Sequence, residues 1–167
     1  MIFLALLLQA GFGNPGNLYL PSPDQARIDR SFSMILIDTA LIEARPFLKL
    51  DRSGQCQMDA ECEAVDRHGV RHVFRGPNQN RRYLVSKTVR AADFMWKSIP
   101  ALGIGQYRDK AMVMAQVAKE TRGKPFDCQP SRGGESCRMS LKPGYVTIDF
   151  DGEGKLVEAS LVGYGAP

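Results

Sequence analysis

Apolar residues with helical spacing follow a helix-start signal near residue 22. Ser22 is a good N-cap and Pro23 suits the first helical position. One face is then made by Ile28, Phe32, Ile35, Leu36, Thr39 and Ile42. The pattern predicts a helix that begins at Pro23 and stops before Pro46, since the residue before a proline disfavours helix. A break near Ser31 stays open, because residues 34–37 also fit a strand.

A second helix is predicted over residues 110–122. Asp109 can cap its N-terminus, while Gly123 and Pro125 prevent its continuation. Its apolar face is predicted to contain Met114, Val117, Ala118 and Thr121.

Short β-type runs follow each helix and are separated by turn residues. Gly, Pro, Asn and Asp residues at 76–80 and 151–154 favour hairpins between neighbouring runs. The four predicted strands lie within residues 70–74, 82–89, 146–150 and 156–162.

The two halves of the chain can be aligned on each other. Cys62 precedes Gly69 by seven residues, and Cys137 precedes Gly144 by the same interval. A basic residue followed by Pro-Phe recurs at residues 45–47 and 124–126. The predicted fold class is therefore α+β, with two similar small units that each pack a helix on an antiparallel sheet.

The predicted units span residues 22–90 and 107–163, joined by a linker at residues 91–106. Trp96, the only tryptophan, lies in this linker. Two interpretations stay open for it: packing between the units, or anchoring a partner, since tryptophan is frequent at binding hot spots.

The first ten residues form an apolar run. It is shorter than the roughly 20 residues that a membrane-spanning helix needs. It suits the hydrophobic region of a signal peptide, although a buried N-terminal strand is the alternative. Residues 1–10 are therefore predicted to be a signal peptide, and the protein to be periplasmic or secreted, with no transmembrane segment.

Four cysteines agree with an oxidising compartment. Three pairings are possible, and the local ones, Cys56 with Cys62 and Cys128 with Cys137, are the most economical because each brackets a polar turn. A four-cysteine zinc site is the rival interpretation. Its usual C-x2-C to C-x4-C spacing is missing, so disulfides are predicted and no metal is expected.

Composition excludes several classes of protein. With 167 residues, 44% hydrophobic and 24% charged, the chain is neither disordered nor fibrous. The net charge is only +4, yet residues 67–92 contain seven basic residues and neither Asp nor Glu.

Strand alternation within this basic stretch predicts a basic face. Its members are Arg71, Arg75, Arg82 and Arg90. Such a face attracts an acidic protein or another anionic surface, while an ordinary solvated sheet face is the alternative. Nucleic acid is not expected, because the protein is predicted to be exported and helical docking motifs are missing.

Catalytic signatures are not found in the sequence. His68 and His72 are the only histidines, and no nucleophile or third ligand accompanies them. Nucleotide-binding and metalloprotease motifs are missing, so no catalytic residue and no cofactor is predicted. A small hydrolase that uses one of these histidines remains the least favoured alternative.

Tandem units of helix and antiparallel sheet with one local disulfide each resemble the β-lactamase inhibitory protein family. Residues 112–117, 122–125 and 146–155 also resemble the SmpA/OmlA outer-membrane assembly lipoprotein domain, with its Gly-x-Pro turn and late hairpin. The resemblance implies a non-catalytic module that binds proteins, inhibitor-like, through a sheet face or loops. An envelope-structural role in outer-membrane assembly is the alternative that it implies.

Overall fold

The computed structural model describes residues 22–49, 61–78, 81–96, 101–141 and 144–163, with the side chains of residues 95 and 96 left out. The predicted signal peptide, Cys56 and the side chain of Trp96 lie outside this part of the chain. The predictions made for them stay predictions.

Four α-helices and eight β-strands make up most of the described residues. The helices are α1 Pro23–Phe32, α2 Leu41–Ala44, α3 Ala91–Trp96 and α4 Lys110–Glu120. The strands of the first half are β1 Leu48–Lys49, β2 Glu61–Asp66, β3 Arg71–Arg75 and β4 Tyr83–Arg90. Those of the second half are β5 Asp127–Ser131, β6 Gly134–Ser140, β7 Tyr145–Asp151 and β8 Leu156–Val162.

All eight strands form one antiparallel sheet in the order β1-β2-β3-β4-β8-β7-β6-β5. The last strands of the two halves pair at the centre, where Lys87 of β4 lies opposite Leu161 of β8. The α+β class is thereby confirmed. The prediction of two separate sheets is replaced by one continuous sheet.

The first helix is much shorter than its apolar pattern predicted. α1 ends at Phe32, because Ser33 adopts an extended backbone. Residues 34–37 then form bends and turns, so both the helical and the strand interpretation were wrong there. Asp38 has a left-handed φ of 68°, and α2 begins only at Leu41.

The second helix agrees closely with its prediction. α4 begins after Asp109 and ends two residues before Arg122, which has a positive φ of 55° and is followed by Gly123, also at positive φ. Its buried face differs in detail, because Val113 is buried whereas Ala118 is exposed.

The larger apolar core draws on both halves. It packs Phe32 of α1 and Val117 of α4 against strands from both halves of the sheet. Residues of the predicted linker, Phe94, Leu102 and Ile104, are buried in the same cluster. These three residues between the halves are therefore part of the core.

A smaller apolar cluster belongs to the first half alone. It packs Leu41 and Ala44 of α2 on Phe74 of β3 and Leu84 of β4. The first helix contributes to the larger, shared core instead. The described residues therefore do not divide into one core for each half, and the internal repeat stays a prediction.

Candidate functional site

The two faces of the sheet differ in character. Along β7, Val146, Ile148 and Phe150 are buried in the core with α1 and α4, while the alternate residues stay half-exposed. We call the second side of the sheet the open face. Its central row, from β2 to β5, consists of Val65, Arg71, Thr88, Ser160, Thr147, Arg138 and Asp127.

Small hydroxyl side chains occupy the middle of the open face. The hydroxyls of Thr88 and Ser160 are hydrogen-bonded at 3.0 Å across the central strand pair. At the β6 end, the Arg138 guanidinium lies 3.5 Å from the centre of the Tyr145 ring. Long arginine and tyrosine side chains therefore flank a shorter hydroxyl row.

Two of the four predicted basic residues are paired with acids of the neighbouring strand. Arg71 contacts the carboxylate of Glu63, and Arg75 Nε donates to Glu61 at 2.6 Å. The stretch that lacks acidic residues in sequence is thus partly neutralised in space, because β2 lies beside β3 and supplies carboxylates on the same face.

Arg82 and Arg90 do not share a face, although strand alternation predicted that they would. Arg82 is 2% exposed, whereas Arg90 is exposed at the end of β4. The reason is a β-bulge: Val73 pairs with Ser86 and Phe74 with Leu84, which leaves one extra residue on β4. The bulge reverses the alternation between the two arginines. A binding role for any of these residues stays a prediction.

Lys87, which belongs to the same basic stretch, is fully buried beneath α1. Its ammonium forms an ion pair with Asp29 and donates to the carbonyls of Asp29 (3.0 Å) and Ser33 (3.2 Å). Asp29 also accepts from the Ile37 backbone N–H at 2.9 Å. Burial lowers the pKa of Lys87, and the Asp29 carboxylate opposes that shift.

The two histidines lie in different environments. His68 is exposed in the turn between β2 and β3, whereas His72 is fully buried and its Nε2 lies 3.2 Å from Asp66. Burial favours a higher pKa for Asp66. Hydrogen bonds from His72 and from the backbone of Val70 and His68 outweigh it, so the pKa lies below its usual value. A substrate has no access to the buried ring of His72, so of the two histidines only His68 is exposed.

The second pair of cysteines confirms one predicted disulfide. Cys128 and Cys137 are bonded across β5 and β6 at directly paired positions. Their sulfurs are therefore not available as zinc-binding thiolates. Cys62 is also disulfide-bonded, and its predicted partner Cys56 lies outside the described residues.

Sequence reasoning missed two buried polar pairs, Lys87 with Asp29 and His72 with Asp66. A signal for the first pair exists in retrospect, since a lysine between Val85 and Val89 occupies a position where alternation favours an apolar side chain. The structure brings Arg71 and Arg90 near each other and separates both from Arg82.

Comparison of the chain with protein-family models, with curated proteins and with solved structures gives no match. The resemblances suggested by the sequence stay expectations. None of the helices in the described residues has the length and apolar character needed to cross a bilayer.

Proposed function

We propose that this chain is an exported, non-catalytic binding module that presents the open face of its sheet to a folded protein partner. The observation that carries the proposal is the contrast between the two sheet faces. One face is sealed by helices, while the other presents a row of hydroxyls between Arg71 and Arg138.

The chemistry of the open face favours a protein of mixed charge as its partner. Arg71 and Arg138 are cationic, and Asp149 and Glu158, which lie opposite each other on β7 and β8, are anionic. An apolar peptide would leave these charges without partners, and a polyanion would be repelled by the carboxylates. Protein surfaces carry both signs of charge together.

The remaining expectations fit this proposal. Disulfides agree with a periplasmic or secreted location. The internal repeat is supported by matched positions, since Gly69 and Gly144 both have positive φ and both precede a strand that pairs with a cysteine-bearing strand. Tandem units of helix and antiparallel sheet are the arrangement that the inhibitor-like resemblance implies.

A photo-crosslinking experiment tests the proposal in cells that produce the full chain. A photoreactive residue replaces Thr147 at the centre of the open face, or Ala115 on the exposed side of α4 as the control. We expect a covalent protein adduct from position 147 and none from position 115.

Charge reversal gives the experiment its specificity. Arg138→Glu changes the open face beside Thr147, whereas Arg132→Glu changes an exposed turn. The yield of the adduct from position 147 should fall several-fold in Arg138→Glu and stay unchanged in Arg132→Glu. Equal adducts from both crosslinking positions, or equal yields in both charge variants, would contradict the proposal.

A further inference from the structure

A depression lies at one end of the open face, where β4 runs into α3. It has a volume of about 320 Å³ and is walled by residues of β2, the β2–β3 turn, β3, β4 and α3. Arg71 and Arg90 contribute guanidinium groups, and Thr88 contributes a hydroxyl. These are hydrogen-bond donors from two neighbouring strands around one small space.

The strand register explains why the two arginines converge. Arg71 lies directly opposite Thr88, and Arg90 lies two residues farther along the same face of β4. Such diagonal neighbours have Cα atoms about 7–8 Å apart, within reach of long side chains. Gly69, with a positive φ of 88°, lines the depression and has no side chain to fill it.

We infer that this depression, which we call the arginine pocket, receives a carboxylate side chain of the protein partner. The inference rests on the proposed function and names the group that the open face recognises. Guanidinium groups are planar donors that bind carboxylates through paired hydrogen bonds. Arg90 is exposed and forms no ion pair with the described residues.

The neighbouring charges favour a singly charged ligand. Arg71 already contacts Glu63 through one nitrogen, but a guanidinium has five N–H donors, so others remain. Asp93 also lines the pocket and has a contact of its own. Glu158 lies directly opposite Arg90 on β8, so three carboxylates stand near the two guanidiniums. Together they repel a doubly charged phosphate more strongly than they repel a single carboxylate.

The test uses N-acetylglutamic acid α-amide, which offers one side-chain carboxylate, and N-acetylglutaminamide, its neutral match. Each is titrated into the 15N-labelled full chain, and the Nε–H signals of Arg71 and Arg90 and the amide of Gly69 are followed. We expect saturable shifts with the acid at millimolar concentration and none with the amide.

Two variants locate the binding. Arg90→Gln removes one guanidinium from the pocket and should weaken binding of the acid about tenfold, the effect of losing a charge-assisted contact. Arg132→Gln removes a guanidinium from an exposed turn of the second half, outside the pocket, and should leave the affinity unchanged.

Three results would overturn the inference: equal shifts with the neutral amide, unchanged affinity in Arg90→Gln, or tighter binding of inorganic phosphate than of the acid. Crosslinking at Thr147 without binding of the acid would refute the arginine pocket and leave the protein-binding role standing. Binding of the acid without specific crosslinking would refute the role and leave a carboxylate site.

Discussion

The two halves of the sheet bury different kinds of side chain beneath their helices, on either side of the central strand pair. In the first half, His72 lies opposite Lys87 on neighbouring strands; in the second, Val146 lies opposite Leu161. All four side chains are buried, and Lys87 and Leu161 face each other at the central strand pair. One half therefore buries charge where the other buries hydrocarbon.

The two helices are therefore held on the sheet by different kinds of contact. α4 places Val113 and Val117 in the apolar core, and packing of that kind is not directional. α1 is held by Lys87, which reaches the carbonyls of Asp29 and Ser33 at its C-terminal end. A buried ion pair adds little net stability over an apolar pair, because both charges must be desolvated. Its hydrogen bonds do fix the position of the helix end.

Removing the ammonium of Lys87 should cause the largest loss of unfolding free energy. Lys87→Met leaves the Asp29 carboxylate buried without its cation, and such losses cost about 3–5 kcal/mol of unfolding free energy. Urea unfolding followed by circular dichroism measures the change.

The double variant Lys87→Met with Asp29→Asn is the matched control. The amide introduced by Asp29→Asn is neutral and can still accept the Ile37 N–H, so the double variant should recover at least half of the lost free energy. A double variant as unstable as Lys87→Met alone would show that the charge pair is not the reason for the loss.

The second half is also held by the disulfide between Cys128 and Cys137, and its removal should give the next largest loss of stability. Replacing Cys128 and Cys137 together by alanine opens a loop of nine residues, which on the chain-entropy model costs about 2–3 kcal/mol of unfolding free energy. Urea unfolding of the oxidised protein and the variant measures it.

Replacing Ser131 and Ser136 by alanine on the same hairpin is the control, and should change the unfolding free energy by less than about 0.5 kcal/mol. Should the cysteine variant lose no more than this control, the disulfide would have no part in holding the second half.

Local sequence patterns predicted four of the eight strands (β3, β4, β7 and β8) and α4 well, because alternation and helix-end signals act over a few residues. The strands β1, β2, β5 and β6 were not predicted. β8 has the predicted bounds, and α4 begins directly after Asp109, although the Asp109 side chain pairs with Lys155 and makes no capping hydrogen bond. The end of α1 could not be predicted, since it depends on Lys87, 54 residues away from Ser33. The helical spacing of Ile35 reflects burial in a turn that only the tertiary structure stabilises.

The candidate site was predictable only in part for the same reason. Arg71 and Arg90 were identified from charge and strand alternation, but Glu63, the carboxylate that pairs with Arg71, comes from another strand. One extra residue in β4 was enough to move Arg82 into the interior. Sequence alternation has no means of detecting a bulge that depends on the pairing of β3 with β4.

The buried Asp66 allows the smallest and most selective test of the polar half. Asp66→Asn removes the negative charge but keeps an oxygen that can accept hydrogen bonds from the backbone of Val70 and His68. We expect a loss of about 1–2 kcal/mol of unfolding free energy at pH 7, since hydrogen bonds to a charged group are the stronger kind.

The pH dependence of the unfolding free energy shows whether the Asp66 charge stabilises the fold. Hydrogen bonds lower the pKa of Asp66 in the folded protein, so its contribution is present above the unfolded value of about 3.9 and is lost as the pH falls through the folded pKa. The difference in unfolding free energy between wild type and Asp66→Asn should therefore shrink below about pH 4, as measured by urea unfolding between pH 7 and pH 3.

Asp149→Asn on the half-exposed open face is the control, with an expected change in unfolding free energy under about 0.5 kcal/mol at pH 7. A constant difference across the whole range would mean that the Asp66 charge does not stabilise the first half, and the contrast with the apolar second half would then rest on Lys87 and Asp29 alone.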